Sequence, residues 1–181
     1  GHPYEPLTAD EITVATTAAK ARLTESARFS TVRLDEPAKG ETRARRAHLG
    51  IVPGPECSVI EASIDVTSGE IASWQEIDGV RPALGFEESL TTIFALIADE
   101  RYIAALAKRG ITEDQFEQLQ IDPWPTGNFA NDIESGRRVA RCISYLRAKP
   151  NDNGYSRPIE GVVAWVDSGR GEVLDVQDYG V

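Results

Sequence analysis

Histidine and cysteine are nearly missing from this sequence: each occurs twice in 181 residues, and methionine does not occur at all. His2 and His48 lie far apart, as do Cys57 and Cys142, so neither a zinc-ligand spacing nor a disulfide framework is written here. No stretch approaches the roughly 18 to 20 apolar residues that a membrane-spanning helix needs. The opening Gly1-His2-Pro3-Tyr4 lacks the basic start and apolar core of an export signal, and compartment is left open. Basic residues are outnumbered, 19 Lys and Arg against 29 Asp and Glu, which leaves a formal charge of −10. A surface of that sign repels phosphates and anionic headgroups, so neither nucleic acid nor a membrane is expected as a partner. Common catalytic signatures are missing as well: no Gly-x-Ser-x-Gly elbow, no Gly-Lys-Ser/Thr phosphate loop and no His-Glu-x-x-His.

What is present reads as a folded chain, with 41% hydrophobic and 27% charged residues. Thr8-Ala9-Asp10-Glu11 is a capping box, and Ile12, Ala15, Ala19 and Leu23 follow at helical spacing. Strands are predicted next. Arg28 to Leu34 alternates, with Ser30, Val32 and Leu34 opposite Phe29, Thr31 and Arg33. Ala47, Leu49 and Ile51 share a face, as do Ile60, Ala62 and Ile64. After a turn at Thr67-Ser68-Gly69, Ile71, Ser73 and Gln75 are expected opposite Ala72, Trp74 and Glu76. Asp78 to Gly85 breaks the pattern and predicts a boundary, giving domains 1–84 and 85–181.

The second half opens on another helix, with Leu90, Ile93, Phe94 and Ile97 as its stripe, and Asp99 caps a further helix that Gly110 stops. Thr112-Glu113-Asp114-Gln115 starts a short helical turn. Asp122-Pro123-Trp124-Pro125-Thr126-Gly127 reads as a rigid connecting stretch, followed by three strands at Arg138 to Lys149, Ile159 to Asp167 and Val173 to Asp178. The two halves repeat. Ala62, Asp65, Gly69, Glu70 and Gln75 fall on Ala164, Asp167, Gly171, Glu172 and Gln177 without a gap. Ile64, Ile71 and Trp74 likewise fall on Val166, Val173 and Val176.

Few residues stand out for chemistry. His48 is expected at the surface or half-buried, on the strand face opposite Ala47 and Leu49. Glu87-Glu88, Asp99-Glu100 and Glu113-Asp114 lie at helix starts, where the backbone dipole stabilises negative charge without any catalytic role. The clusters Arg43, Arg45, Arg46 and Arg137, Arg138, Arg141 read as solvated edges or internal pairs, with a contact to a partner or anion as the alternative. Trp124, between two prolines, either packs inside or is held at a rim, and Tyr155 in the polar loop 151–157 has the same two readings. Trp165 reads as packing.

The ending Arg157-Pro-Ile-Glu-Gly-Val-Val-Ala-Trp-Val-Asp167, then Gly171-Glu-Val-Leu-Asp-Val-Gln-Asp-Tyr-Gly-Val181, resembles the close of the third N-terminal domain of copper amine oxidases. His2-Pro-Tyr-Glu-Pro-Leu-Thr-Ala-Asp-Glu-Ile12 is similar to the start of that family's second N-terminal domain, and Val66 to Ile71 and Asp99-Glu-Arg101 fall where the two would place them. The resemblance implies an α+β fold: a tandem of two cystatin-like domains, N2 and N3, each a helix packed on a curved antiparallel sheet. It implies a homodimeric parent enzyme that oxidises primary amines to aldehydes, releasing ammonia and hydrogen peroxide. Copper, held by three histidines, and topaquinone, made from tyrosine in Asn-Tyr-Asp/Glu, belong to a separate C-terminal catalytic domain. Neither pattern occurs here: the five tyrosines follow Pro, Arg, Ser, Gly and Asp, and there is no His-x-His. The chain is therefore expected to be the N2–N3 part of a longer oxidase, without catalytic or metal residues and inactive alone, with that catalytic domain as its partner. By position, Trp124 and Tyr155 are the side chains expected to line the channel through which the primary amine passes. The rival expectation is a free-standing cystatin-like module that grips a peptide or small ligand.

Overall fold

The computed structural model describes residues 4–56, 58–127 and 132–180, so Cys57 and His2 lie outside the described residues. The chain divides into two compact units, Gly1–Ala83 and Leu84–Val181.

In the first unit, helix α1 (Ala9–Lys20) starts at the Thr8 cap: Thr8 Oγ1 accepts from Glu11 N–H, and Glu11 Oε2 accepts from Thr8 N–H at 2.8 Å. Four antiparallel strands follow, β1 (Arg28–Asp35), β2 (Arg46–Val52), β3 (Ser58–Asp65) and β4 (Ile71–Asp78), in spatial order β1-β2-β3-β4. Ala15 and Ala19 of α1 pack on Ala47, Leu49, Ile51, Ile60, Ala62 and Ile64 to form its core. Small residues on the helix let it approach the sheet closely.

In the second unit, α2 (Phe86–Ile97) and α3 (Glu100–Ala107) precede a 3-10 turn at Glu113–Gln118. Then come β5 (Leu119–Pro125), β6 (Val139–Leu146), β7 (Pro158–Asp167) and β8 (Glu172–Asp178), again antiparallel in chain order. Asp99 caps α3 by accepting from the N–H groups of Arg101 and Tyr102 at 2.9 and 3.3 Å. The core gathers Leu96, Tyr102, Leu106, Ile121, Val162, Ala164 and Val166, and the Tyr102 hydroxyl and Ser144 Oγ share a buried hydrogen bond of 2.6 Å. Burial pushes the Tyr102 phenol and the Cys142 thiol up to about 12, so both stay protonated and inert.

Two sequence expectations need correction. The stretch around Trp124 is a strand, β5, and not a connector. It pairs with β6 as an edge strand, with Pro123 opposite Cys142 and Pro125 opposite Ala140. Thr126 N–H donates to Val139 C=O at 3.1 Å, so by alternation residues 124 and 122 also turn their N–H groups to β6. Pro123 and Pro125 occupy the outward positions, where a missing donor costs no ladder bond.

The second correction concerns alternation. Phe29 and Val32 both pack on the first core, because the register shifts between Phe29 and Thr31. Ile71 and Trp74 share that core for the same reason, across a shift at Ser63/Ile64. A bulge adds one residue and reverses which face the next side chains take.

The repeat extends to atomic detail. Ala62 faces Trp74 and Ile64 faces Ile71, as Ala164 faces Val176 and Val166 faces Val173, with the register shift in the equivalent place. Asp65 Oδ1 accepts from Thr67 and Ser68 N–H, and Asp167 Oδ1 from Gly169 and Arg170 N–H. Gly69 and Gly171 both have positive φ, 76° and 67°, and lie under the helix of their unit, near Ala18 and Thr91 respectively.

Candidate functional site

The outer face of the second sheet, away from α2 and α3, carries Trp124, one of the two aromatics that the sequence singles out. Along β5 the side chains of Leu119 and Ile121 turn to the core, so Gln120, Asp122 and Trp124 turn outward. Opposite them on β6 stand Tyr145, Ile143 and Arg141. Trp124 is 58% exposed, held at the sheet edge between its prolines. Tyr155 is also 58% exposed; it sits in a short 3-10 turn (Gly154–Ser156) that Asn153 caps through the Tyr155 N–H at 3.1 Å. Its ring meets Tyr145 edge-to-face with centroids 5.0 Å apart. The turn lies tight against β5: a Cβ on Gly154 would stand 2.5 Å from Gln120 Oε1.

Asp122 connects these groups. Gln120 Nε2 donates to its Oδ1 at 3.2 Å, and hydrogen bonding to this carboxylate together with its charge raises the Tyr155 phenol above its ordinary value. Both sequence-singled aromatics thus lie on one unit and flank one carboxylate, Tyr155 beside it and Trp124 two residues along its strand. The sequence reading missed Asp122, Gln120 and Tyr145. The signal was there, as Gln120, Asp122 and Trp124 alternate, but the prolines between them argue against a strand.

Trp165 lies half-buried on this same face, with the Arg141 guanidinium 5.6 Å from its ring. The other arginines singled out are mostly used internally. Arg45 binds Glu11 at 2.6 Å and Arg138 binds Glu88 at 2.6 Å, each tying a helix start to the sheet. Arg43 binds Asp35 at 3.2 Å. Burial alone raises Asp35, yet the Ser63 and Arg43 hydrogen bonds hold it below its ordinary value. His48 is half-buried on the outer face of β2, opposite Arg33 and Ser63.

A concavity in this unit, about 520 Å³, is lined by Ile111, Leu146 and Ile159 and also by Arg109, Arg157 and Tyr179. Arg109 is committed to structure: it donates to the carbonyls of Ala105, Glu160 and Gly180 and to Asp178 Oδ1, all within 2.7–2.8 Å. With Lys108 it holds the Asp178 carboxyl well below the usual carboxylate range.

The donor set does not fit copper or topaquinone. Among the described residues no three His, Cys, Asp or Glu side chains converge, and no tyrosine stands in Asn-Tyr-Asp/Glu.

A family model for the N3 domain of copper amine oxidase matches residues 89–181, about half of the chain. The chain belongs to the copper amine oxidase family. Nearly its whole length is similar to full oxidases: it is 33% identical over 185 residues to a primary amine oxidase of Arthrobacter sp. strain P1, covering 98% of this chain and 28% of that protein. It is 31% identical to the histamine oxidase of Arthrobacter globiformis, covering 99% of this chain and 27% of the relative. A crystal structure of the copper-containing benzylamine oxidase from Hansenula polymorpha superposes with a TM-score of 0.78 over 99% of this chain and 30% of that one. At 17% identity that likeness shows the fold: the α+β tandem matches the N-terminal domains of an amine oxidase. The chain thus spans little more than a quarter of the curated relatives it matches, as an N-terminal domain portion.

Proposed function

We propose that residues 1–84 and 85–181 are the N2 and N3 domains of a copper- and topaquinone-dependent primary-amine oxidase, serving as scaffold and as part of the wall along which the amine reaches the catalytic domain. The observation that carries this reading is the match over nearly the entire chain to about a quarter of full-length amine oxidases. Trp124 and Tyr155 are the wall residues: large rings exposed on one face, which favour the apolar body of an aryl or alkyl amine by burying its surface. The catalytic domain is the partner, and the parent is a homodimer. The chain alone neither holds the cofactors nor turns over amine.

Three measurements test this. Copper-loaded 181-residue chain is expected to produce no hydrogen peroxide from tyramine or phenylethylamine, and reproducible peroxide would sink the reading. Continuing the reading frame past Val181 is expected to reveal Asn-Tyr-Asp/Glu and His-x-His. In that longer protein, Trp124→Ala is expected to raise KM for an aryl amine about fivefold, the loss of one aromatic contact. The concavity beside Ile111 and Ile159 favours a second reading, a free-standing binding module, which a stop codon after Val181 would support.

A further inference from the structure

We propose that the concavity beside Ile111 and Ile159 binds a small monocarboxylate with an apolar body, the carboxylate on the Arg157 guanidinium and the hydrocarbon against the aliphatic lining. This goes beyond the reading of the chain as scaffold and channel wall and does not depend on it, because that reading draws on the match to longer relatives.

A volume of about 520 Å³ falls within the range of small-ligand sites. Ile111, Leu146 and Ile159 make the lining apolar, and the core holds Ile111 and Ile159 in place, each 7% exposed. The frame is preformed. Arg109 donates to the carbonyls of Glu160 and Gly180, both at 2.7 Å, and Tyr179 N–H donates to Gly161 C=O at 2.8 Å. All four of those partners line the concavity, so its two backbone segments are tied together before any ligand arrives.

Arg157 is the cation left over. Its backbone is fixed on both sides: its N–H donates to Gly154 C=O at 2.9 Å, and its C=O accepts from Leu146 N–H at 3.0 Å. Its exposed guanidinium has no hydrogen bond, ion pair, ring contact or charged partner among the described residues. Every other described arginine has at least one of these. Most donate to carboxylates, amides or carbonyls, Arg22 and Arg141 stand over Trp74 and Trp165, and Arg46 interacts with the charge of Asp65.

A guanidinium offers its N–H donors in one plane, which matches the two oxygens of a carboxylate. The aliphatic side chains of the same concavity favour a ligand whose remainder is hydrocarbon, since that surface leaves water on binding. Glu160 also lines the concavity, and the chain carries a net charge of −10, so a polyanion such as phosphate is opposed where one charge held at two points is accepted. A neutral amide of the same shape buries the same apolar area and lacks the charge-assisted pair.

The test is an NMR titration of the 181-residue chain with benzoate, with benzamide as the neutral match and inorganic phosphate as an anion without an apolar body. Benzoate is expected to shift the methyl signals of Ile111, Leu146 and Ile159 saturably and to bind about tenfold more tightly than benzamide, while phosphate leaves those signals in place. Arg157→Gln is expected to bring benzoate down to the level of benzamide and Arg157→Lys to recover part of the difference. Melting curves stay unchanged in both variants, because this side chain holds nothing in the fold. Equal binding of benzoate and benzamide, an Arg157→Gln variant that keeps the preference, displacement of benzoate by phosphate at equal concentration, or no saturable shift would each overturn the inference. None of these results touches the oxidase reading, which fails instead on peroxide from the chain alone.

Discussion

Glu11 caps α1 and binds Arg45, and the pair with Arg45 is the first cause that holds its carboxyl down at about 2. A carboxyl lowered in the folded state stabilises the fold fully above its unfolded value of about 4.5 and loses that contribution as pH falls towards 2. Glu11→Gln is therefore expected to flatten the pH dependence of unfolding between pH 4.5 and 2, read from urea midpoints across that range. Arg138 is 1% exposed at its side chain and bonds to both Glu88 oxygens, at 2.6 and 2.9 Å. Removing the arginine alone leaves a half-buried carboxylate with the Gly85 N–H as a remaining donor, so Arg138→Met is expected to cost about 1–3 kcal/mol by chemical denaturation. These pairings were not legible as pairs. The capping box at Thr8 and the acid at Glu88 are local patterns, but their arginines lie 34 and 50 residues away, and only the folded sheet brings them within reach.

At the scale of elements, β5 shows how a strand hides behind its composition. Its two prolines take the outward positions of an edge, where they also block pairing with another chain. Pro123→Val with Pro125→Val restores two N–H donors along that edge, and increased light scattering at fixed concentration is the expected result. Gly161 marks another element that the sequence concealed. Its φ is 73°, and a Cβ there would stand 2.5 Å from the Gly180 carbonyl and 2.9 Å from Arg109 Nη2. Gly161→Ala is expected to release the end of β8 from the Arg109 clamp. Faster amide exchange at Tyr179, whose N–H donates to Gly161 C=O at 2.8 Å, would show it. The outward side of the sheet was half legible. Trp124 and Tyr155 stand out as large rings in polar or proline-rich surroundings, whereas Asp122 acquires meaning only from what the strand pairing sets beside it.

Across the whole molecule, each unit has its own core, built on a sheet of four strands in simple chain order. Short-range antiparallel pairing of this kind makes each unit a candidate for independent folding. Residues 84–181 expressed alone are expected to melt cooperatively and to retain the near-ultraviolet signal of packed Tyr102; a non-cooperative melt would contradict this. The net charge of −10 also belongs to this scale, since it keeps phosphates away without opposing an ammonium ion.

From residue order alone came the features that short-range physics controls: caps at Thr8 and Asp99, turns at Gly69 and Gly171, and the strand faces between bulges. Each depends on neighbours within a few positions. The three-dimensional arrangement decided where the bulges reverse a face, that a proline-flanked stretch joins a sheet, which arginine meets which acid, and that the Tyr155 turn lies against β5. Those outcomes depend on pairing between strands far apart in sequence, where register and proximity follow from the packed core.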